Sequence, residues 1–520
     1  MEKNRLLLLP FFVGLALLIY SFYLTYPLST NSASDLVFNH VSIFYWVSLP
    51  LLSASMFLMA VTTKSNILKW IFTIGIVLTW FSLFYFYFMM PTADSEYFRG
   101  FTEYFIKTKS LDPSNHAYYQ WPGFFILAYI VTSVSGLSLA NYEFLLYAII
   151  LFFLTTALYV YGSKKFANGG ILIAPAFFIS VAYFTNLQSV PFSLALGILF
   201  LLFMLESHER SNGSIIIMIV LYASLLLTHL FVPLFFVLYL LIQFLLNKNK
   251  LNRDRYIDLF LLALVGYIVV QITLASFQFA QLFKSLTQPP IETLAFIASQ
   301  SLVSSSSSNL IVAIAQFFSR TVTIATIGLC IVGFIFIFIK RKLNVTDKAI
   351  LFSGVIYSGL GIVLNTLGWR AVAVAFIPFS LGAAFLFEIK KIKRFVLGIF
   401  LVLVVLAVFV PIHQSLSEST FQTKETYVAQ NFFIDHYNFK KSDVVVADLA
   451  TAAYLPAKMA IYEYIRTFLD KGDKADAILY SPKFTGQLGD YGTIENYSQR
   501  EVLNLMYNDG GFNVYIKSPK

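Results

Sequence analysis

One cysteine in 520 residues leaves nothing to pair with, so no intramolecular disulfide holds this chain together. That residue, Cys330, stands in the apolar run CIVGFIFIFI and gives no indication of redox compartment. Charge is equally scarce. Acidic and basic residues make up 12% of the sequence, where a soluble domain carries roughly a quarter. The sequence also lacks a P-loop and a G-x-G-x-x-G pattern, which excludes the usual nucleotide-binding cassettes. What is present is hydrophobic: 58% of residues, with a mean hydropathy of +0.74. Apolar runs of about 18 to 25 residues recur along the chain and match the hydrocarbon thickness of a bilayer. The net charge of +9 points to no nucleic-acid partner, because Lys and Arg gather in short loops beside the apolar runs.

The fold class read from this pattern is an α-helical polytopic membrane protein. The first run, LLLLPFFVGLALLIYSFYLTY, is long and has no small-residue cleavage site, so it reads as a retained anchor. Basic stretches at residues 1–5, at Lys64 and Lys69, and at 248–255, 340–342 and 390–394 place those loops on the cytoplasmic side. Tracing forward puts 91–121 outside, and tracing back puts 280–308, Arg370 and the tail outside. The two traces differ by one crossing between 121 and 164. A short re-entrant or interfacial helix at WPGFFILAYIVTSVSG reconciles them and leaves about 13 spans. Two domains are expected: a transmembrane domain over 1–412 with an external loop at 91–121, and a small extracytoplasmic α/β domain over 413–520. In the tail, strands are expected at 443–448, 476–481 and 511–517, with helices near 458–470 and 499–508.

The chemistry concentrates on the outer face. Residues 88–105, FMMPTADSEYFRGFTEYF, leave an apolar run and acquire four charges. From Glu96 onward the stretch reads as an amphipathic helix. Phe98, Phe101 and Phe105 share a face expected to dip into the outer leaflet, and Glu96, Arg99, Glu103 and Lys107 form ordinary surface pairs. Asp94 precedes that helix. It reads either as the N-cap or, with Glu96, as a D-x-E pair able to act as a base or hold a divalent cation such as Mg or Mn. The loop continues into HAYYQWPGFF, where His116, Tyr119 and their neighbours read as an interfacial aromatic belt or as a surface for a sugar ring. Polar residues recur at other outer span ends: Gln188 in TNLQS, His229 in TH and Arg370 in GWR. Arg370 reads as a snorkelling side chain or as a bidentate grip on a lipid phosphate.

Taken together, these features resemble the GT-C membrane glycosyltransferases of the protein-mannosyltransferase and aminoarabinose-transferase kind. The resemblance rests on the acidic external motif, the amphipathic helix, YYQWPGFF, QSVPFSLALGILFLLFML, LLLTHLFVPLFF, the late Arg before a Pro-containing helix, and the outer C-terminal domain. It implies a polyprenyl-phosphate-linked sugar as donor, a lipid, glycan or protein acceptor, and transfer outside the cytoplasm with inversion at the anomeric carbon. Asp94 would then be the catalytic carboxylate with Glu96 beside it, Arg370 the donor-phosphate ligand, and His116, Tyr119, Gln188 and His229 substrate-binding residues. Two departures stand out: the motif is D-x-E rather than D-x-D, and it follows the third apolar segment rather than the first.

Two other functions compete. LGDYGT at 488–493 contains part of the WWDYG signature of oligosaccharyltransferases, without its tryptophans. A transporter or flippase would need charges deep within spans, where almost none occur, and an inactive scaffold would leave Asp94 a simple cap.

Overall fold

The computed structural model describes residues 2–26, 41–86, 93–111, 117–182, 190–206, 212–276, 310–340, 343–363 and 370–411, together with five short strands between 445 and 517. The helices, in order, are α1 (Glu2–Thr25), α2 (Ile43–Thr62), α3 (Asn66–Trp80), α4 (Ala93–Thr108), α5 (Gly123–Ser135), α6 (Leu139–Lys165), α7 (Gly169–Ala182) and α8 (Pro191–Glu206). They continue as α9 (Asn212–Thr228), α10 (Val232–Leu246), α11 (Lys250–Thr273), α12 (Leu310–Ile339), α13 (Val345–Val363), α14 (Arg370–Glu388) and α15 (Lys393–Leu406). Short 3-10 helices follow α3 at Phe81–Phe86 and precede α5 at Ala117–Gln120.

The helices start where the sequence offers caps. Ser42, Ser65, Ser138 and Asn249 each stand before a helix and accept a hydrogen bond from one of its first backbone N–H groups. Inside the bundle, hydroxyls fold back onto their own helices, as Thr102 does on Phe98 O and Thr155 on Leu151 O, so that no water is needed to satisfy them. Burial sorts the helices. α7 is apolar all round and buried from Ile171 through Val181, which places it at the centre, against α3, α6, α12 and α14. α1 shows most of its surface outward and packs mainly on α2. Trp80 Nε1 donates to Val404 O at 3.1 Å and so ties α3 to α15, 324 residues along the chain. α12 and α14 cross with their backbones in contact: a Cβ added to Gly333 would meet Gly382 O, and one added to Gly382 would meet Cys330 O.

By length and composition, seven helices among the described residues can cross a membrane, and the chain is a helical membrane protein. Other apolar helices are shorter. α5 is one of these, at 13 residues or about 20 Å against a hydrocarbon core of about 30 Å, and it matches the short helix expected there.

The strands form one sheet in the order β2-β1-β3-β5-β4: β1 (Val445–Ala447), β2 (Tyr462–Tyr464), β3 (Ala477–Tyr480), β4 (Leu503–Asn508) and β5 (Asn513–Lys517). β1 pairs parallel with β2 and β3, while β5 lies antiparallel between β3 and β4. The three expected strands are present. The helix expected near 499–508 is instead β4, whose LNLMYN alternates with period two, and part of the stretch expected as helix at 458–470 is β2.

Candidate functional site

α4 begins at Ala93, three residues earlier than its amphipathic pattern suggested, and its buried stripe is Ser95, Phe98, Arg99, Thr102 and Phe105. The phenylalanines meet protein rather than lipid. Phe98 sits against Tyr118, Phe124 and Phe125, with ring centroids at 4.8, 5.9 and 6.4 Å, and Phe105 packs on Tyr129 at 5.8 Å. Arg99 is not a surface residue either. It is 1% exposed and pairs with Glu143 of α6, itself 3% exposed, through Nε at 3.0 and 2.9 Å to the two carboxylate oxygens and Nη2 at 2.5 Å. A charge on an amphipathic helix reads as solvated from local spacing alone; here a carboxylate 44 residues later draws it inward.

The segment before α5 joins α4 to the end of α9. Tyr119 donates its hydroxyl to Phe101 O at 2.7 Å and packs its ring on Phe125 at 5.0 Å. Burial pushes this hydroxyl well above the ordinary tyrosine range, so it stays a proton donor. Tyr118 turns the other way and reaches His229 at 6.2 Å between ring centroids, and the His229 ring also meets Phe192, at the start of α8, at 5.6 Å. His229 Nδ1 accepts from the Phe231 N–H at 3.1 Å, so a neutral imidazole carries its proton on Nε2. Gly123 lets α5 approach closely, since a Cβ there would lie 2.9 Å from Leu227 O and 3.0 Å from Thr228 Oγ1. Trp121 packs with Leu230 and with Ala275, just beyond α11.

The expected site residues fall as follows. His229 and the aromatic run 118–121 come together. Tyr119 gives its hydroxyl to Phe101 O of α4. Position 94 lies in the first turn of α4, one turn before Phe98. Because the helix already includes Ala93, Asp94 stands inside it rather than at the N-cap position before it. Position 96 lies about 200° away around the axis, in line with Gly100 and Glu103. The side chains of Asp94, Glu96 and Arg370 lie outside the described residues, as do His116 and Gln188 altogether; Arg370 is the first residue of α14.

The carboxylates of Asp94 and Glu96, expected as a metal pair, lie outside the described residues; no group of three or more His, Cys, Asp or Glu residues able to hold an ion occurs among the described ones.

At the opposite end of the bundle the basic residues gather. Lys165, 22 residues and about 33 Å along α6 from Glu143, pairs with Asp347 at 2.8 Å. Asp347 also accepts from the Tyr161 hydroxyl at 2.9 Å and from the Asn344 N–H at 3.2 Å. Lys69 donates to Asn168 Oδ1, and Lys340 and Lys393 lie over the rings of Phe385 and Phe387.

This arrangement is one seen before. The oligosaccharyltransferase of Archaeoglobus fulgidus, solved in complex with Zn and sulfate, superimposes with a TM-score of 0.52 at 13% identity, over 86% of this chain and 72% of that one. The two chains share a fold. ArnT from Cupriavidus metallidurans is also similar: bound to undecaprenyl phosphate it gives a TM-score of 0.47 at 10% identity, over 87% of this chain and 99% of that one. In its apo state it gives 0.48 at 10% identity, over 88% and 100%. No protein-family model and no curated protein sequence matches the chain.

Proposed function

We propose that the protein is a membrane glycosyltransferase that moves a sugar from a polyprenyl-phosphate donor to a lipid, glycan or protein acceptor on the extracytoplasmic face. The reading is supported by one convergence on a GT-C fold. The helix that carries position 94, the aromatic run 118–121, His229 and the start of α8 meet at one end of the bundle, away from the clustered lysines. Lysine-rich ends favour the cytoplasm, so the convergent end faces outward and the strands of the tail lie on that side with it.

The chemistry asks little of the protein. A sugar phosphate is a good leaving group. A carboxylate that removes the acceptor proton and a cation that steadies the departing phosphate are sufficient, and direct displacement inverts the anomeric centre. Asp94 is the residue assigned to the first task and Arg370 to the second. His229 offers an N–H to a substrate oxygen, and Tyr118 and Trp121 offer ring faces to the sugar. Glu96, on another face of α4, has no part in proton transfer.

The test is sugar transfer by purified, bilayer-reconstituted protein given radiolabelled polyprenyl-phosphate sugars and membrane extract. General bases contribute about 10²- to 10⁴-fold, so Asp94→Asn is expected to lose at least about a hundredfold in rate, while Glu96→Gln changes it less than about threefold. Equal transfer by wild type and Asp94→Asn overturns the assignment.

A further inference from the structure

α11 turns most of its surface outward and keeps one stripe inside: Tyr256, Ala263, Tyr267 and Gln271, continued by Ala275 just past the helix end. Gln271 is 0% exposed, yet neither its side-chain oxygen nor its nitrogen has a hydrogen-bond partner among the described residues. Ala275, one turn and about 6 Å further along, packs against Trp121 and Leu230. There the indole N–H of Trp121 and the side-chain oxygen of Gln120 are likewise buried and without a partner. Proteins bury few unsatisfied polar atoms, because each forfeits its hydration for nothing. Four of them, on two elements joined through one apolar contact, call for something that satisfies them.

We propose that Gln271, with Trp121 and Gln120, receives the hydroxyl groups of the transferred sugar, and that Gln271 determines which sugar is accepted. The assignment rests on the transferase reading above and concerns the sugar rather than the lipid carrier. Its basis is the chemistry of the orphaned atoms. An amide presents a donor and an acceptor side by side, which complements a hydroxyl; the indole only donates, and the Gln120 oxygen only accepts. None of the four belongs to a charged side chain, so this part of the site reads neutral hydroxyls and leaves phosphate to the arginine. Trp121 adds an apolar ring face of the kind that a pyranose covers with its C–H groups. A site built to hydrogen-bond a hydroxyl discriminates strongly against a ligand that lacks it or places it elsewhere.

The experiment measures binding of undecaprenyl phosphate, and of undecaprenyl phosphate carrying glucose, galactose, mannose or N-acetylglucosamine, to the full chain in nanodiscs. Wild type, Gln271→Leu and the volume-matched Gln271→Met are compared. Wild type is expected to bind at least one glycosylated carrier more tightly than the bare one. Both variants are expected to lose that preference by about tenfold, the worth of two neutral hydrogen bonds, with affinity for the bare carrier unchanged. Should Gln271→Leu fail to fold, Gln271→Met carries the comparison. A preference that survives in the variants marks the amide as a buried-water site and overturns the assignment. So does an equal loss for bare and glycosylated carriers, or wild-type binding of the bare carrier without any sugar preference. Failure of wild type to bind any carrier overturns the transferase reading itself, and this assignment with it.

Discussion

Arg99 and Glu143 face each other side-on in the interior, the guanidinium of α4 sharing both carboxylate oxygens of α6. This pair fastens the helix that carries position 94 to a long span. Removing one partner strands the other charge. Glu143→Ala is expected to cost about 3–5 kcal/mol, whereas the double change Arg99→Met with Glu143→Leu is near neutral or stabilising, as judged by thermal unfolding in detergent. Arg99→Lys keeps the charge without the fork and falls between them.

Gly123 is where α5 touches the carbonyl of Leu227. Gly123→Val places a branched side chain where a Cβ is already too close to backbone, and is expected to destabilise by about 1–3 kcal/mol. Because the displaced helix carries Trp121 with it, transfer activity per folded molecule should fall as well. Gly136→Ala, beyond the other end of the same helix with nothing within 4 Å of an added Cβ but with φ at +70°, should affect stability through backbone strain and leave activity per folded molecule intact.

Tyr119 ties the aromatic run to α4 through the hydrogen bond from its hydroxyl to Phe101 O, so Tyr119→Phe should cost about 1 kcal/mol at neutral pH. Its pH dependence has a definite sign. Burial raises the folded-state pKa above that of the unfolded chain, so the contribution is fully present below about pH 10 and is lost as pH rises beyond it. Thermal unfolding at pH 8 and pH 11 should therefore show wild type losing more stability between the two than Tyr119→Phe does.

At the basic end, Asp347 gathers Lys165, Tyr161 and the Asn344 backbone. Asp347→Asn leaves one oxygen for several donors and removes the charge opposite Lys165. A loss of about 1–3 kcal/mol is expected, with KM for the donor unchanged, because the proposed site lies at the other end of the bundle.

The parts of this architecture that announce themselves in the sequence are those set by local pattern. Composition reveals the membrane, the short WPGFF helix follows from loop-charge parity, and TH and YYQWPG stand out because polar groups at span ends are costly. The pairing of Arg99 with Glu143 was hidden because helical spacing reports only neighbours on one helix, and Arg99 had acceptable partners at Glu96 and Glu103. A signal was nonetheless available: Glu143 lies in an otherwise apolar run, and such an acid needs a partner. Phe98, Phe101 and Phe105 illustrate a different blindness, since amphipathicity shows that a face seeks an apolar setting but not whether lipid or protein supplies it. Gln271 is silent in the sequence because a single amide in a span carries no pattern; only its burial among unsatisfied neighbours marks it.

The glycine contact between α12 and α14 has a mechanical meaning. Where two backbones touch, neither helix can slide past the other without separating, so Gly333 and Gly382 act as a fulcrum. Arg370 sits 12 residues, or about 18 Å, up the lever arm from Gly382, and Pro378 lies between them, where a missing backbone N–H loosens the helix. A tilt of about 10° at such a joint carries the first residue of α14 through about 3 Å.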